Sequence, residues 1–181
     1  DGPVSQNELC FITVGNTRLM AEVIKVNGNK AAVQVFESTR GLKNGNSVEF
    51  EDRMLEATLG PGLLSSCYDG LQNDLTTMTG VFLKRGEYTD PLNHEKLWSF
   101  TPIAKPGDKV VAADWLGEVK EGWLPHKIMV PFSFKGEYTV KSVVEEGEYN
   151  IDKVIAVLTN AEGEDVEVTM TQKWPVKVAI K

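Results

Sequence analysis

Apolar and polar positions alternate with a period of two along much of this chain, the spacing of strands that turn one face to a core. Leu19 to Val26 is an apolar-rich strand candidate, and Lys30 to Glu37 places Ala31, Val33 and Val35 on one side of the pleat. Between them stands Asn27-Gly28-Asn29, which accepts the positive φ of a tight hairpin. Lys43-Asn44-Gly45-Asn46 has similar turn chemistry and separates Gly41-Leu42 from Ser47 to Phe50. Short strands broken this often by turns predict a small closed barrel, an arrangement that leaves no sheet edge exposed.

The pattern breaks at Leu59-Gly60-Pro61-Gly62-Leu63-Leu64, a connector, because Gly-Pro-Gly fits neither a helix nor a central strand. Tyr68 to Met78 then predicts one short helix, with Leu71 and Leu75 an i, i+4 pair. Pro91, Pro102 and Pro106 keep the next stretch irregular. A boundary near Leu75 to Thr79 divides the chain into residues 1–78 and 79–181.

Strand patterning returns after the Lys105-Pro106-Gly107-Asp108 turn: Lys109 to Ala113, Trp115 to Val119, Ile128 to Val130, Glu137 to Val144 and Lys153 to Leu158. Asn160 to Glu164 reads as a hairpin turn leading to Val166 to Met170. Gly107-Asp108 ahead of Leu116-Gly117-Glu118-Val119 is echoed by Gly147-Glu148 ahead of Ile155-Ala156-Val157-Leu158. Two such halves, joined through Ile128-Met129-Val130-Pro131 and Gly136, predict a quasi-two-fold barrel-sandwich of the lipoyl/biotinyl type. The fold class is therefore mainly β with little helix.

Composition narrows the function classes. With 181 residues, 41% of them hydrophobic, the chain can bury a core without a staple. Its net charge of −7 repels phosphate backbones and anionic lipid, so neither nucleic acid nor a membrane surface is an expected partner. No apolar run approaches the roughly 18–20 residues of a membrane span, and the Asp1-Gly2-Pro3 start shows no secretion signal. Cys10 and Cys67 lie far apart and read as reduced thiols without metal spacing.

A phosphate-binding loop needs Gly-Lys, and none of the 16 glycines is followed by lysine. Gly60 and Gly62 have no third glycine at dinucleotide spacing. Ser65 and Ser66 lack the G-x-S-x-G elbow, and nothing ties them, or Cys67, to His94 or His126. The carboxylate pairs Glu51-Asp52, Glu145-Glu146 and Glu162 with Glu164-Asp165 read as solvated turns. Trp98, Trp115, Trp123 and Trp174 are scattered and read as core packing. In a carrier domain the modifiable lysine would fall near Gly122-Trp123-Leu124; Lys120 comes too early and Lys127 too late. No catalytic, cofactor-binding or metal-ligating residue is assigned.

An ordered set of words remains: Phe36-Glu37-Ser38-Thr39-Arg40-Gly41-Leu42; Leu59-Gly60-Pro61-Gly62-Leu63-Leu64; Tyr68-Asp69-Gly70-Leu71-Gln72; Trp98-Ser99-Phe100-Thr101-Pro102; His126-Lys127-Ile128-Met129-Val130-Pro131; and Gln172-Lys173-Trp174-Pro175-Val176. In this order they resemble the N-terminal portion of the catalytic A (alpha) subunit of the vacuolar/archaeal-type rotary ATPases and ATP synthases. The resemblance implies an N-terminal β-barrel followed by the "bulge", or non-homologous region, with the phosphate-binding loop further along the subunit. It implies B subunits of an alternating ring as partners of the barrel and peripheral-stalk (stator) subunits as partners of the bulge. It also implies a cytoplasmic location peripheral to the membrane, and Mg-ATP as a ligand of the full-length subunit alone. The family usually continues its Asp-Gly-Ile-Gln word with Arg-Pro-Leu, whereas Asn73-Asp74-Leu75 follows Gln72 here, which puts an arginine contact at that point in doubt. A stand-alone β binding module or biotinyl/lipoyl-like carrier is the alternative reading.

Overall fold

The computed structural model describes residues 3–64, 66–76 and 85–180. Its elements are all strands. The first sheet is antiparallel in the order β3-β2-β1-β4, from β1 (Glu8–Val14), β2 (Thr17–Asn27), β3 (Lys30–Val35) and β4 (Val48–Met54). The β2–β3 hairpin turns through Gly28 at φ +57°, as the Asn-Gly signal requires. The second turn forms as well: Lys43 N–H donates to Asn46 Oδ1 at 2.7 Å, and Gly45 has φ +93°.

Sequence patterning missed β1, which lies at the centre of this sheet. Its Glu-Leu-Cys-Phe-Ile-Thr-Val run does not alternate, because a central strand is covered on both faces. Cys10 pairs with Ala21 and Phe50, and Ala21 with Val35, so these side chains share one face. That face holds a small core of Cys10, Ile12, Ala21 and Val23.

The larger core lies between two further four-stranded sheets. One has the order β11-β6-β8-β9: β11 (Gly147–Tyr149), β6 (Trp98–Pro102), β8 (Trp115–Glu121) and β9 (Leu124–Met129). The other is β13-β12-β10-β7: β13 (Asp165–Val168), β12 (Ala156–Thr159), β10 (Tyr138–Val143) and β7 (Lys109–Val110). Phe100, Leu116, Val119 and Ile128 from the first meet Val140, Leu158 and Val168 from the second. The internal echo has a structural counterpart. Strand β7, after Gly107-Asp108, joins the sheet of the second half, and β11, at Gly147-Glu148, joins that of the first. This reciprocal exchange makes the barrel-sandwich.

Strand β5 (Glu56–Leu59) leads from the first sheet toward the sandwich, and β14 (Gln172–Pro175) pairs with it antiparallel on the way back. A two-stranded stem thus joins the first sheet to the barrel-sandwich.

Three expectations need correction. No helix forms over Tyr68 to Thr76; Met78 lies outside the described residues. Asp69 Oδ1 accepts the N–H groups of Leu71 and Asn73, Gln72 takes φ +63°, and Tyr68 bridges to Asp74. A short carboxylate has outcompeted helical hydrogen bonding. Strand β7 stops at Val110, because Asp114 Oδ2 captures Val111 N–H and Ala113 turns at φ +72°. The tryptophans also divide. Trp98 is buried and Trp174 half-buried against Phe132, but Trp115 is 53% and Trp123 90% exposed.

Candidate functional site

Two polar constellations couple the parts of this fold. The first fills the seam beside the first sheet. Tyr88 accepts Met20 N–H at 2.8 Å and donates its hydroxyl proton to Glu37, whose other oxygen accepts Gly86 N–H at 2.7 Å. Burial, then the bond to the Glu37 carboxylate, pushes the Tyr88 phenol far up, so it stays a neutral donor. Asn73 is 3% exposed and bonded at both ends of its amide: Nδ2 donates to Asp69 Oδ2 and Oδ1 accepts Thr89 N–H. Burial would raise the Asp69 pKa, but hydrogen bonds from Asn73 and Leu71 outweigh it and hold the carboxyl below its ordinary value. At the position where the family's arginine was in question, this protein therefore has a buried amide joining two loops. A cavity of about 540 Å³ opens along this seam, lined by Phe36, Leu55, Leu71 and Tyr88 among others.

The second constellation is built on Glu121, at the end of β8. Its side chain is 7% exposed, in a position where an unpaired carboxylate would be costly. Glu121 Oε1 accepts Gly62 N–H at 2.7 Å and Leu64 N–H at 3.1 Å, and Oε2 lies 2.6 Å from His126 Nδ1. One carboxylate thus ties the Gly-Pro-Gly connector to the β8–β9 hairpin. Beyond it the hairpin tip is Gly122-Trp123, with Gly122 at φ +61°. The tip slot considered for a carrier lysine holds an indole, Lys120 lies in β8, and Lys127, in β9, is paired with Glu118.

The sequence-derived candidates do not converge on a reaction centre. His94 is held by Asp152 at 2.7 Å and Asp90 at 2.9 Å, and His126 by Glu121. Ser66 Oγ donates to Gly62 C=O, and Ser65 lies outside the described residues. Cys67 is exposed, whereas Cys10 is buried and its thiol is pushed up to about 11, by burial and then the Glu8 charge. Among the described residues no three His, Cys, Asp or Glu side chains gather to hold a metal ion. Of the carboxylates read as solvated turns, Glu162 and Glu164 do sit at the Asn160 turn, but Glu51-Asp52 lie in β4 and Asp165 in β13, where Glu51 faces Arg18 and Arg53 and Asp165 faces Lys141. The sequence reading passed over Glu121 and Tyr88, and it noted Asn73 only as a departure from the resembled family's pattern. Their long-range partners lie 16 to 68 positions away: Thr89 from Asn73, Gly62 and Leu64 from Glu121, and Glu37 and Met20 from Tyr88.

This division into a β-sheet unit and a barrel-sandwich matches known proteins. Residues 1–52 match the ATP synthase alpha/beta family β-barrel domain, and residues 89–177 match the ATP synthase alpha/beta subunit barrel-sandwich domain. The chain belongs to the ATP synthase alpha/beta family. Over 99% of its length it is 49% identical to the V-type ATP synthase alpha chain of Chlamydia caviae and 46% identical to those of Borreliella afzelii and Treponema denticola. It spans about a third, 31–32%, of the length of these relatives and is homologous to their N-terminal part. No helix among the described residues is long and apolar enough to cross a membrane.

Proposed function

We propose that this chain is the non-catalytic N-terminal portion of the catalytic A subunit of a V-type rotary ATPase or ATP synthase, acting in subunit assembly and stator coupling. The observation that carries the reading is the 99% coverage of the chain by V-type ATP synthase alpha chains at 46–49% identity. The first sheet joins the B subunits of an alternating ring. In support, Val48 and Phe50 on β4 are each 40% exposed on the face that carries the small core, and apolar patches of this kind favour protein contacts. The barrel-sandwich, joined to the first sheet by the β5–β14 stem, meets the stator. The full-length subunit hydrolyses or makes ATP coupled to proton or sodium movement, in the soluble sector peripheral to the membrane. Phosphoryl transfer needs positioned amides, a lysine and Mg²⁺, which the rest of the subunit supplies.

Two measurements test this. Calorimetric titration of the chain with Mg-ATP should give no saturable heat; saturable binding would overturn the non-catalytic assignment. Val48→Glu with Phe50→Glu in the full-length subunit, co-expressed with the B subunit, should abolish rings in native mass spectra. Intact rings would overturn the assembly role of this face.

A further inference from the structure

Glu22, on β2, is 6% exposed and lies on the face of the first sheet that carries the buried Leu9. Leu9 on β1 and Gln34 on β3 stand opposite it, so neither neighbouring strand sets a cation against this carboxylate. A charge in such a place is costly unless a partner arrives from elsewhere. The partner comes from beyond the stem. Lys177 Nζ lies 2.7 Å from Glu22 Oε1 and donates to Oδ1 of Asn7, the residue just before β1, at 3.2 Å.

Lys177 sits in a turn closed on itself. Val176 N–H donates to Leu55 C=O at 3.0 Å, which adds a rung to the β5–β14 ladder. Val178 N–H donates to Pro175 C=O at 3.1 Å, and the Trp174 indole donates to Val178 C=O at 2.8 Å. These bonds give the turn a shape and hold it to the stem. A ladder of two four-residue strands is marginal by itself and sets no direction firmly. Lys177 supplies a further fixed point, a lateral tie to the first sheet. The tie is lopsided: the Lys177 side chain is 45% exposed and that of Glu22 8%. When it opens, the ammonium returns to water while the carboxylate is left buried without its partner, so the closed form is favoured.

We infer that Lys177 is a positioning residue, which straps the chain beyond the stem onto Glu22 and Asn7 and so fixes the direction in which the subunit continues. A change of angle further along the subunit is then passed to the first sheet instead of being absorbed by a flexing stem. This rests on the reading above that the chain is the N-terminal portion of a longer subunit.

The test is the distance distribution between two spin labels on the chain, measured by double electron–electron resonance. The labels go on Asn16→Cys, in the exposed β1–β2 turn, and on Ala179→Cys, exposed just past the strap, in a Cys67→Ser background; Cys10 is buried. The parent should give one narrow distribution, and Lys177→Arg should keep it. Glu22→Gln with Lys177→Met leaves no buried charge unpaired and so keeps its stability. Its distribution should nevertheless be about twofold wider or more, because a terminal segment that is not tied down samples many directions. A double variant as narrow as the parent, or a parent already as wide, would overturn the inference. Lys177→Met alone leaves the carboxylate without its partner and should melt below the double variant; the reverse order would also overturn it. The readout does not depend on ring formation. A narrow double variant, with rings lost on Val48→Glu and Phe50→Glu, removes the strap and leaves the assembly role. A wide one with rings intact keeps the strap and removes the assembly role of the β4 face.

Discussion

Replacing Glu121 by alanine removes the acceptor of two backbone N–H groups and the partner of His126, all from a side chain that is 7% exposed. The Gly62 bond, short and to a charged acceptor, is worth roughly 1.5–3 kcal/mol, and the Leu64 bond, at an exposed residue, roughly 0.5–1. His126, with 24% of its side chain exposed, adds little. The expected loss is about 3 kcal/mol, which for a chain of this size lowers Tm by roughly 6–12 °C. Glu121→Gln separates charge from geometry. Its amide oxygen still accepts from Gly62 and Leu64 while the acceptor charge is gone, so about 1 kcal/mol is lost. Urea unfolding gives these differences, and amide exchange of Gly62 and Leu64 by NMR reports them locally. A Glu121→Ala variant within 0.5 kcal/mol of the parent, or a Gln variant as damaged as the Ala variant, would refute the clamp.

Gly117→Ala should destabilise by about 3 kcal/mol or more, because a Cβ there meets the Phe100 ring at 2.3 Å and Thr101 C=O at 2.9 Å in a filled core. Gly70→Ala, with nothing within 4 Å, should be near neutral; equal thermal shifts for the two would contradict this. The bonds to Asp152 and then Asp90 hold the His94 imidazolium above its usual range. Its stabilisation is therefore complete below the unfolded pKa of about 6.5 and is lost as pH rises through the higher folded value. With the ring 45% exposed the effect is at most about 1 kcal/mol. The difference in urea midpoint between the parent and His94→Gln should shrink from pH 5.5 to 8.5, and a constant difference would count against it.

Much of the β architecture was legible because turns are local. Gly28, Gly45 and the Asn160 to Glu164 turn are dictated by residues within five positions, and each forms. Alternation marked β3, and apolar-rich runs between turns marked β2, β10 and β13. It failed at β1 and at the Tyr68 to Thr76 loop, for different reasons. Covered on both faces, β1 has no polar side to mark its period, and the loop's Leu71/Leu75 spacing is overridden by the Asp69 carboxylate.

By itself the sequence determined the fold class, the main turns and, through its ordered words, the family. These depend on short-range backbone preferences and on residue identity. The tertiary structure alone decided that β5 and β14 close into a stem, that Glu121 grips Gly62 and Leu64, and that the indole of Trp123 stands in solvent while that of Trp98 is covered. Each of these depends on groups far apart in the chain, and a tryptophan's burial is set by what the finished fold places over it.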